Sequence, residues 1–360
     1  MKLIALLTDG IGSGGGGIAR YNRDLIAALS ASRRISRVAL LPRFGEAGAA
    51  TPAKVQQLPP CPDRRQWAAR AITLGARQRF DAVLCGHLNA VPLAAAIASI
   101  RRIPLWVQVH GIEAWERPSA LHRLGLSVAT LITSVSRYTR ARLLAWANVA
   151  PHRVRVLPNT VDAVYAPRPR RDELVARYGL QGRRVILTVG RLSALERYKG
   201  HDRLIAALPG ILASVPDAAY LIVGAGDDRP RLAHLAAETG VADRVVLAGQ
   251  VRHAELADHF ALAHVFAMPS TGEGFGIAYL EAAASGLPVI AGNADGSADA
   301  LADGRIGRLV DPLAVDEIEA AVVDALEGRH PVPNAAEEAR RFAFPHFAAH
   351  VGTLAASLGR

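Results

Sequence analysis

Two glutamates, Glu273 and Glu281, bracket the segment E-G-F-G-I-A-Y-L-E, in which a glycine-rich turn opens an apolar helix. Gly274 and Gly276 let the backbone approach a ligand closely, so the amides of Phe275, Gly276, Ile277 and Ala278 become donors at the positive end of a helix. An anionic diphosphate suits such a place. Were the segment wholly helical, the two acids would lie roughly 12 Å apart in rise, less where it begins as a turn, so they serve different parts of one ligand. A lone helix glutamate is ordinarily a surface residue. The apolar run V-F-A-M-P-S just before Glu273 marks a strand that delivers this one to a ligand.

A second set of groups lies in Gly190 to Gly200, G-R-L-S-A-L-E-R-Y-K-G, directly after V-I-L-T-V. Arg191 and Lys199 are the cations that a leaving diphosphate requires, because charge builds on it as its bond breaks. Arg197, in the same loop, reads as a surface cation. No D-x-D pair is available for a divalent ion, so protein cations are expected to take a metal's part. His110 directly follows the run L-W-V-Q-V, with Glu113 close behind; a histidine there can bond a sugar hydroxyl or exchange a proton. His122, His234, His259 and His264 read as helix residues without partners. The loops Gly224 to Asp228 and Gly249 to Val251 could surround a nucleobase and ribose through backbone groups.

All these residues follow apolar runs, and ligands of open parallel sheets bind outside the carboxyl ends of the strands. In the first half the runs Leu3 to Leu7, Val38 to Leu41, Ala82 to Leu84, Leu105 to Val109, Leu131 to Val135 and Val154 to Leu157 alternate with helical segments such as Arg20 to Leu29. The second half repeats the plan with V-I-L-T-V-G, Y-L-I-V-G, V-V-L-A-G, V-F-A-M-P-S and P-V-I-A-G. Near-continuous apolar strands imply parallel sheets buried on both faces. The fold class is therefore α/β, with two Rossmann-like doubly wound domains facing a cleft. A proline-rich, charged stretch places their boundary near Pro167, giving domains 1–167 and 168–342 with a terminal helical segment 343–360.

A further glycine run, Asp9 to Gly17, follows the first strand. Gly10, Gly12 and Gly15 satisfy G-x-G-x-x-G, which taken alone suggests a dinucleotide dehydrogenase. The second strand should then end in an acid. It ends at Pro42 and Arg43, which would suit NADP at best, and a flexible glycine connection explains Gly12 and Gly14 equally well.

The chain of 360 residues is 51% hydrophobic and carries a formal net charge of +10. From Met1 to Arg170 there are 24 Lys and Arg against 8 Asp and Glu, a surplus of 16, so the basic character belongs to the first half. An anionic membrane surface or an acidic substrate explains that asymmetry; the signatures of nucleic-acid binding are missing. Trp67, Trp115 and Trp146 are candidate interfacial anchors. The apolar tract Val91 to Ile100 is too short to span a bilayer, and the first residues read as a buried strand, so a cytoplasmic location is expected, with peripheral attachment to the inner membrane. Cys61 and Cys85 read as buried free thiols.

These residues together resemble glycosyltransferase family 4, with its two-domain GT-B architecture, over nearly the whole chain. The resemblance rests on the paired glutamates within P-S-x-x-E-G-F-G, on G-R-L at Gly190 followed by Lys199 and Gly200, on the glycine pair Gly16 and Gly17, and on P-N-x-V-D at Pro158 to Asp162. It implies that Arg191 and Lys199 hold the donor diphosphate, with the amides of Gly274 to Ile277 at the helix mouth. Glu273 would contact the donor sugar, Glu281 the ribose, Gly249 and Val251 the base, and His110 the outer sugar hydroxyls. Gly16 and Gly17 would let the first domain close over the phosphate, and the last helix would cross back onto that domain. Transfer would be retaining, with no cofactor beyond the nucleotide-sugar donor, of GDP-mannose or UDP-glucose type. A glycan or polyprenyl-diphosphate-linked acceptor in exopolysaccharide or lipopolysaccharide assembly would receive the sugar. Asn293 to Ser297, N-A-D-G-S, stands where many relatives carry G-G-x-x-E, so the usual sugar-proximal acid is not expected there. An NADP-dependent oxidoreductase, a nucleotide-sugar epimerase or hydrolase, and a noncatalytic sensor are the alternatives.

Overall fold

The computed structural model describes residues 1–12, 16–329, 332 and 334–359; Gly14 and Gly15 of the first glycine run lie outside the described residues. The chain divides into two compact units, Met1–Thr160 with Phe344–Arg360, and Val161–Ala343.

The first unit is built on β1 (Lys2–Asp9), β2 (Arg37–Phe44), β3 (Val55–Gln57), β4 (Ala82–Cys85), β5 (Leu105–Val109), β6 (Leu131–Ser134) and β7 (Val154–Val156). They form one sheet in the order β3-β2-β1-β4-β5-β6-β7, with every pairing parallel. The strand order reverses direction between β1 and β4, which is where an open parallel sheet presents its ligand crevice. Every residue of β4 and β5 is buried, the cause of their unbroken apolar runs. The final helix, Phe344–Ser357, packs on the helix Gly17–Ala31, where the rings of Phe347 and Tyr21 meet edge to face at 5.6 Å.

The second unit holds β8 (Arg184–Val189), β9 (Ala218–Val223), β10 (Val245–Gly249), β11 (Val265–Met268), β12 (Val289–Gly292) and β13 (Arg308–Val310), in the parallel order β10-β9-β8-β11-β12-β13. Its switch point lies between β8 and β11. β3 and β13 are three-residue edge strands, V-Q-Q and R-L-V, too short and too polar to stand out as apolar runs. β2 continues to Phe44, past the expected end at Pro42 and Arg43, because its backbone stays paired with β1, Phe44 opposite Asp9.

The three tryptophans turn their indole N–H groups into the first unit. Trp67 is buried and donates to the Leu41 carbonyl, Trp146 packs against the core and donates to Ala114, and Trp115 donates to the Thr139 hydroxyl. Each indole thus spends its polar edge inside the protein, where burial stabilises it. Cys61 and Cys85 are free and buried, and burial pushes the Cys85 thiol up to about 12. Among the described residues no helix is long and apolar enough to cross a membrane.

Candidate active site

In the second unit the loops after β8 and β11 flank the switch point. After β11 the chain turns through Pro269 to Gly276 and enters the helix Ile277–Ala284. Gly276 sits at φ +88°, and a Cβ there would lie 2.3 Å from the Tyr279 ring, so the turn needs glycine for both backbone and space. No side chain caps the first turn of this helix. A positive helix end of this kind can hold an anion.

After β8 the loop carries Arg191 and then a distorted helical turn, Ala194–Lys199, that ends at Gly200. Gly200 has φ +80°, and a Cβ would lie 2.4 Å from the Pro269 carbonyl oxygen, so the two loops touch through bare backbone. The Thr271 amide donates to the Tyr198 carbonyl at 2.9 Å, a second tie between them. This close seam brings the Lys199 ammonium into an ion pair with Glu273, both side chains little exposed. Burial acts to lower the Lys199 pKa, but Glu273, Tyr198 and Glu196 outweigh it and hold the ammonium above its usual value. Lys199 is therefore charged throughout the physiological range.

Glu273 is held from behind as well. Its amide donates to Asp295 Oδ2 at 2.6 Å, and its carbonyl accepts from Gly296 at 2.9 Å. Asp295 is buried, bonds the Ser297 amide through its other oxygen at 2.8 Å, and has its pKa raised chiefly by burial. The N-A-D-G-S loop thus carries an acid directed at the backbone of Glu273. Glu281, further along the helix, is 5% exposed, an unusual depth for a glutamate. Gly249 ends β10 and Val251 lies just beyond it, the Gly249 carbonyl accepting from Gly224 at 2.9 Å, which joins the two loops expected to flank a base. Arg191 is largely exposed and pairs with Glu196. Arg197, read as a surface cation, pairs with the buried Asp228 at 3.3 Å, and Arg231 grips the same carboxylate.

In the first unit His110 directly follows β5. Its Nε2 lies 2.9 Å from the Gly86 carbonyl, an obligate acceptor, so Nε2 carries the proton and Nδ1 remains an acceptor. Burial, opposed by Glu113, depresses its pKa, which keeps the ring neutral at pH 7. The Tyr21 ring meets it edge on at 5.1 Å. Gly16 and Gly17 stand where the helix Gly17–Ala31 begins, and the Gly16 carbonyl accepts from Arg20 at 3.0 Å. The histidines set aside do have partners: His259 bonds Tyr178 and the Glu255 carbonyl, His264 accepts from the Val185 amide, His234 pairs with Glu238 and His122 with Ser119. Among the described residues no group of three or more His, Cys, Asp or Glu could hold a metal ion.

Two family models match the chain, "Glycosyltransferase Family 4" over residues 15–165 and "Glycosyl transferases group 1" over residues 170–342. A GDP-mannose-dependent alpha-(1-6)-phosphatidylinositol monomannoside mannosyltransferase of Mycobacterium tuberculosis is 34% identical over 359 residues, covering 91% of this chain and 90% of the relative. The chain belongs to glycosyltransferase family 4. The Mycolicibacterium smegmatis protein of the same description is 39% identical over 255 residues, spanning 66% of this glycosyltransferase and 65% of the relative. The fold agrees with solved GT-B structures. Anabaena HepE, solved with UDP and glucose, superposes with a TM-score of 0.76 at 22% identity, covering 98% of this chain and 99% of that one. Sucrose-phosphate synthase from Thermosynechococcus elongatus gives 0.77 at 22% identity, covering 100% and 99%.

The oxidoreductase reading of the first glycine run falls with the family assignment. In the run itself, Gly10 and Ile11 are pinned by Gln57 at the end of β3, whose Oε1 accepts from the Ile11 amide at 2.7 Å. Sequence reasoning missed Asp295 and Glu196. Each lies inside a motif that had been quoted, but nothing in a linear pattern says that one carboxylate turns inward to an amide and the other pairs with a neighbouring cation.

Proposed function

We propose that this family 4 glycosyltransferase moves a mannosyl group from GDP-mannose, with retention, to a glycan or lipid-linked acceptor in polysaccharide assembly. The observation that carries the reading is the Lys199–Glu273 pair beside the uncapped start of the helix Ile277–Ala284, at the switch point of the second sheet. The GDP-mannose-dependent descriptions of the relatives support the donor. Arg191, Lys199 and the amides of Gly274 to Ile277 bind the diphosphate and stabilise the charge it gains as the anomeric C–O bond breaks. Glu273 orients the donor sugar and Glu281 the ribose, while Gly249 and Val251 line the base. His110 accepts a hydrogen bond from a sugar hydroxyl through Nδ1.

The acceptor oxygen attacks on the face from which the diphosphate departs, and its proton passes to the departing phosphate oxygen. No dedicated carboxylate base is then required, and no metal. Gly16 and Gly17 permit close approach of the phosphate. Action at the cytoplasmic face of a membrane is part of the proposal, supported by the basic first half and by the exposed Leu121, Leu124 and Val128 along and just after the helix Ala120–Ser127. Vesicle flotation checks it: the protein should float with anionic but not neutral liposomes at low salt.

A thermal-shift panel of GDP, UDP, ADP and NADPH, each with and without magnesium, tests the central reading. GDP alone should raise the melting temperature without metal. Stabilisation by UDP would move the donor to a uridine diphosphate sugar. A response only to NADPH, or only with magnesium, would sink the assigned chemistry.

A further inference from the structure

The diphosphate cations are already occupied. Arg191 is paired with Glu196, and the other oxygen of the same carboxylate lies 3.7 Å from the Lys199 ammonium, which in turn is paired with Glu273. Two cations and two carboxylates thus form a chain in which Glu196 links Arg191 to Lys199. The Glu196 side chain is 12% exposed, and its Oε2 is buried without a hydrogen-bond partner. A buried carboxylate oxygen without a donor is costly, so this position is sustained by the charge of its neighbours and not by a fitted hydrogen-bond pocket. Glu196 also sits at the kink of its helical turn, with φ −118° and ψ 29°, so regular helix does not lock its backbone.

We infer that Glu196 is a resident counter-ion that competes with the nucleoside diphosphate for Arg191 and Lys199, and so weakens donor and product binding. The inference rests on the proposed role of those two cations. A diphosphate brings two or more negative charges to groups whose charge the protein has already balanced. A carboxylate held between the same cations must swing away or be repelled in place. Glu273 is a different case, because Asp295 and Gly296 hold its backbone. Of the two carboxylates Glu196 is the one whose backbone no neighbouring acid or glycine amide holds, and its return to Arg191 and Lys199 assists departure of the spent diphosphate.

Calorimetric titration of GDP, UDP, inorganic pyrophosphate and guanosine tests this on the wild-type chain, Glu196→Gln, Glu196→Ala and, as a charge control, Glu255→Gln, which breaks an exposed pair with Arg252. Glu196→Gln should tighten the preferred nucleoside diphosphate and pyrophosphate by about two- to fivefold, the range of one ion pair released, and leave guanosine binding unchanged. Glu255→Gln should change neither. The alanine variant should follow the glutamine one, which guards against misfolding of either. Unchanged or weaker diphosphate binding in both Glu196 variants would overturn the inference and make Glu196 a support for Lys199. If the wild type bound nucleoside diphosphates without responding to Glu196, the transferase reading would stand and this inference alone would fall. Absence of all phosphate binding to the wild type would remove both.

Discussion

Lys199 and Glu273 depend on each other because each is the other's neutralising charge in a place that water reaches poorly. Glu273→Gln keeps the shape and one acceptor, so nucleoside-diphosphate affinity should change little while turnover falls about 10²- to 10³-fold, measured by steady-state kinetics alongside calorimetry. Lys199→Ala should weaken the nucleotide and also cost about 3 kcal/mol of stability, since it strands a carboxylate, and chemical denaturation would read that cost. His201, next in the chain after Gly200, is a second buried titratable group. Burial, reinforced by Lys199 and Arg231 against Asp228, lowers its pKa from 6.5 to about 4. Between those values the unfolded chain takes up a proton that the native histidine refuses. Stability should therefore fall as the pH drops from 6.5 toward 4, by roughly 3 kcal/mol from this residue, and be unaffected by it above 6.5. Denaturation across that range should show a shallower acid loss for His201→Gln than for the wild type.

At the scale of elements, the site is two loops held by backbone contact. The seam between Gly200 and Pro269 and the turn at Gly276 leave no room for a Cβ. Gly276→Ala must either rotate the Tyr279 ring, whose hydroxyl bonds Met268 and Ser297, or open the turn. The expected result is a loss of about 1–3 kcal/mol in stability, with weakened nucleotide binding in the same variant. Alternation of apolar runs and helices made both sheets legible, because strands buried on both faces have little choice of residue. β3 and β13 were not legible, since V-Q-Q and R-L-V form no apolar run, whereas β7, an edge strand of the same length, lies in the run Val154 to Leu157. Trp67 was not legible for a related reason: an indole looks the same in sequence whether its N–H meets a headgroup or, as here, the buried Leu41 carbonyl.

For the whole molecule, the chain's last helix belongs to its first compact unit. Phe347, Val351, Leu354 and Ala355 of that helix are buried, and Phe347 meets Tyr21, which donates to Gln108 and packs edge on against His110. Phe347→Ala should cost about 3–5 kcal/mol of stability in denaturant melts. Through Tyr21 it should also loosen His110, a change readable as broadening of that histidine's ring signals by NMR.

The residue types at Arg191, Lys199, Glu273, Glu281 and His110, and their place after apolar strands, were determined by sequence alone. Chemistry restricts which side chains can face a diphosphate and a sugar, and a doubly wound sheet restricts where they occur. What tertiary structure decided was how those charges are shared. Glu196 and Asp295 stand 77 and 22 positions from Glu273, and no local pattern reports that one carboxylate pairs with Arg191 near the Lys199–Glu273 pair while the other holds the Glu273 amide. Such pairings depend on which loops the sheet order brings together, and they are set only when the strands have packed.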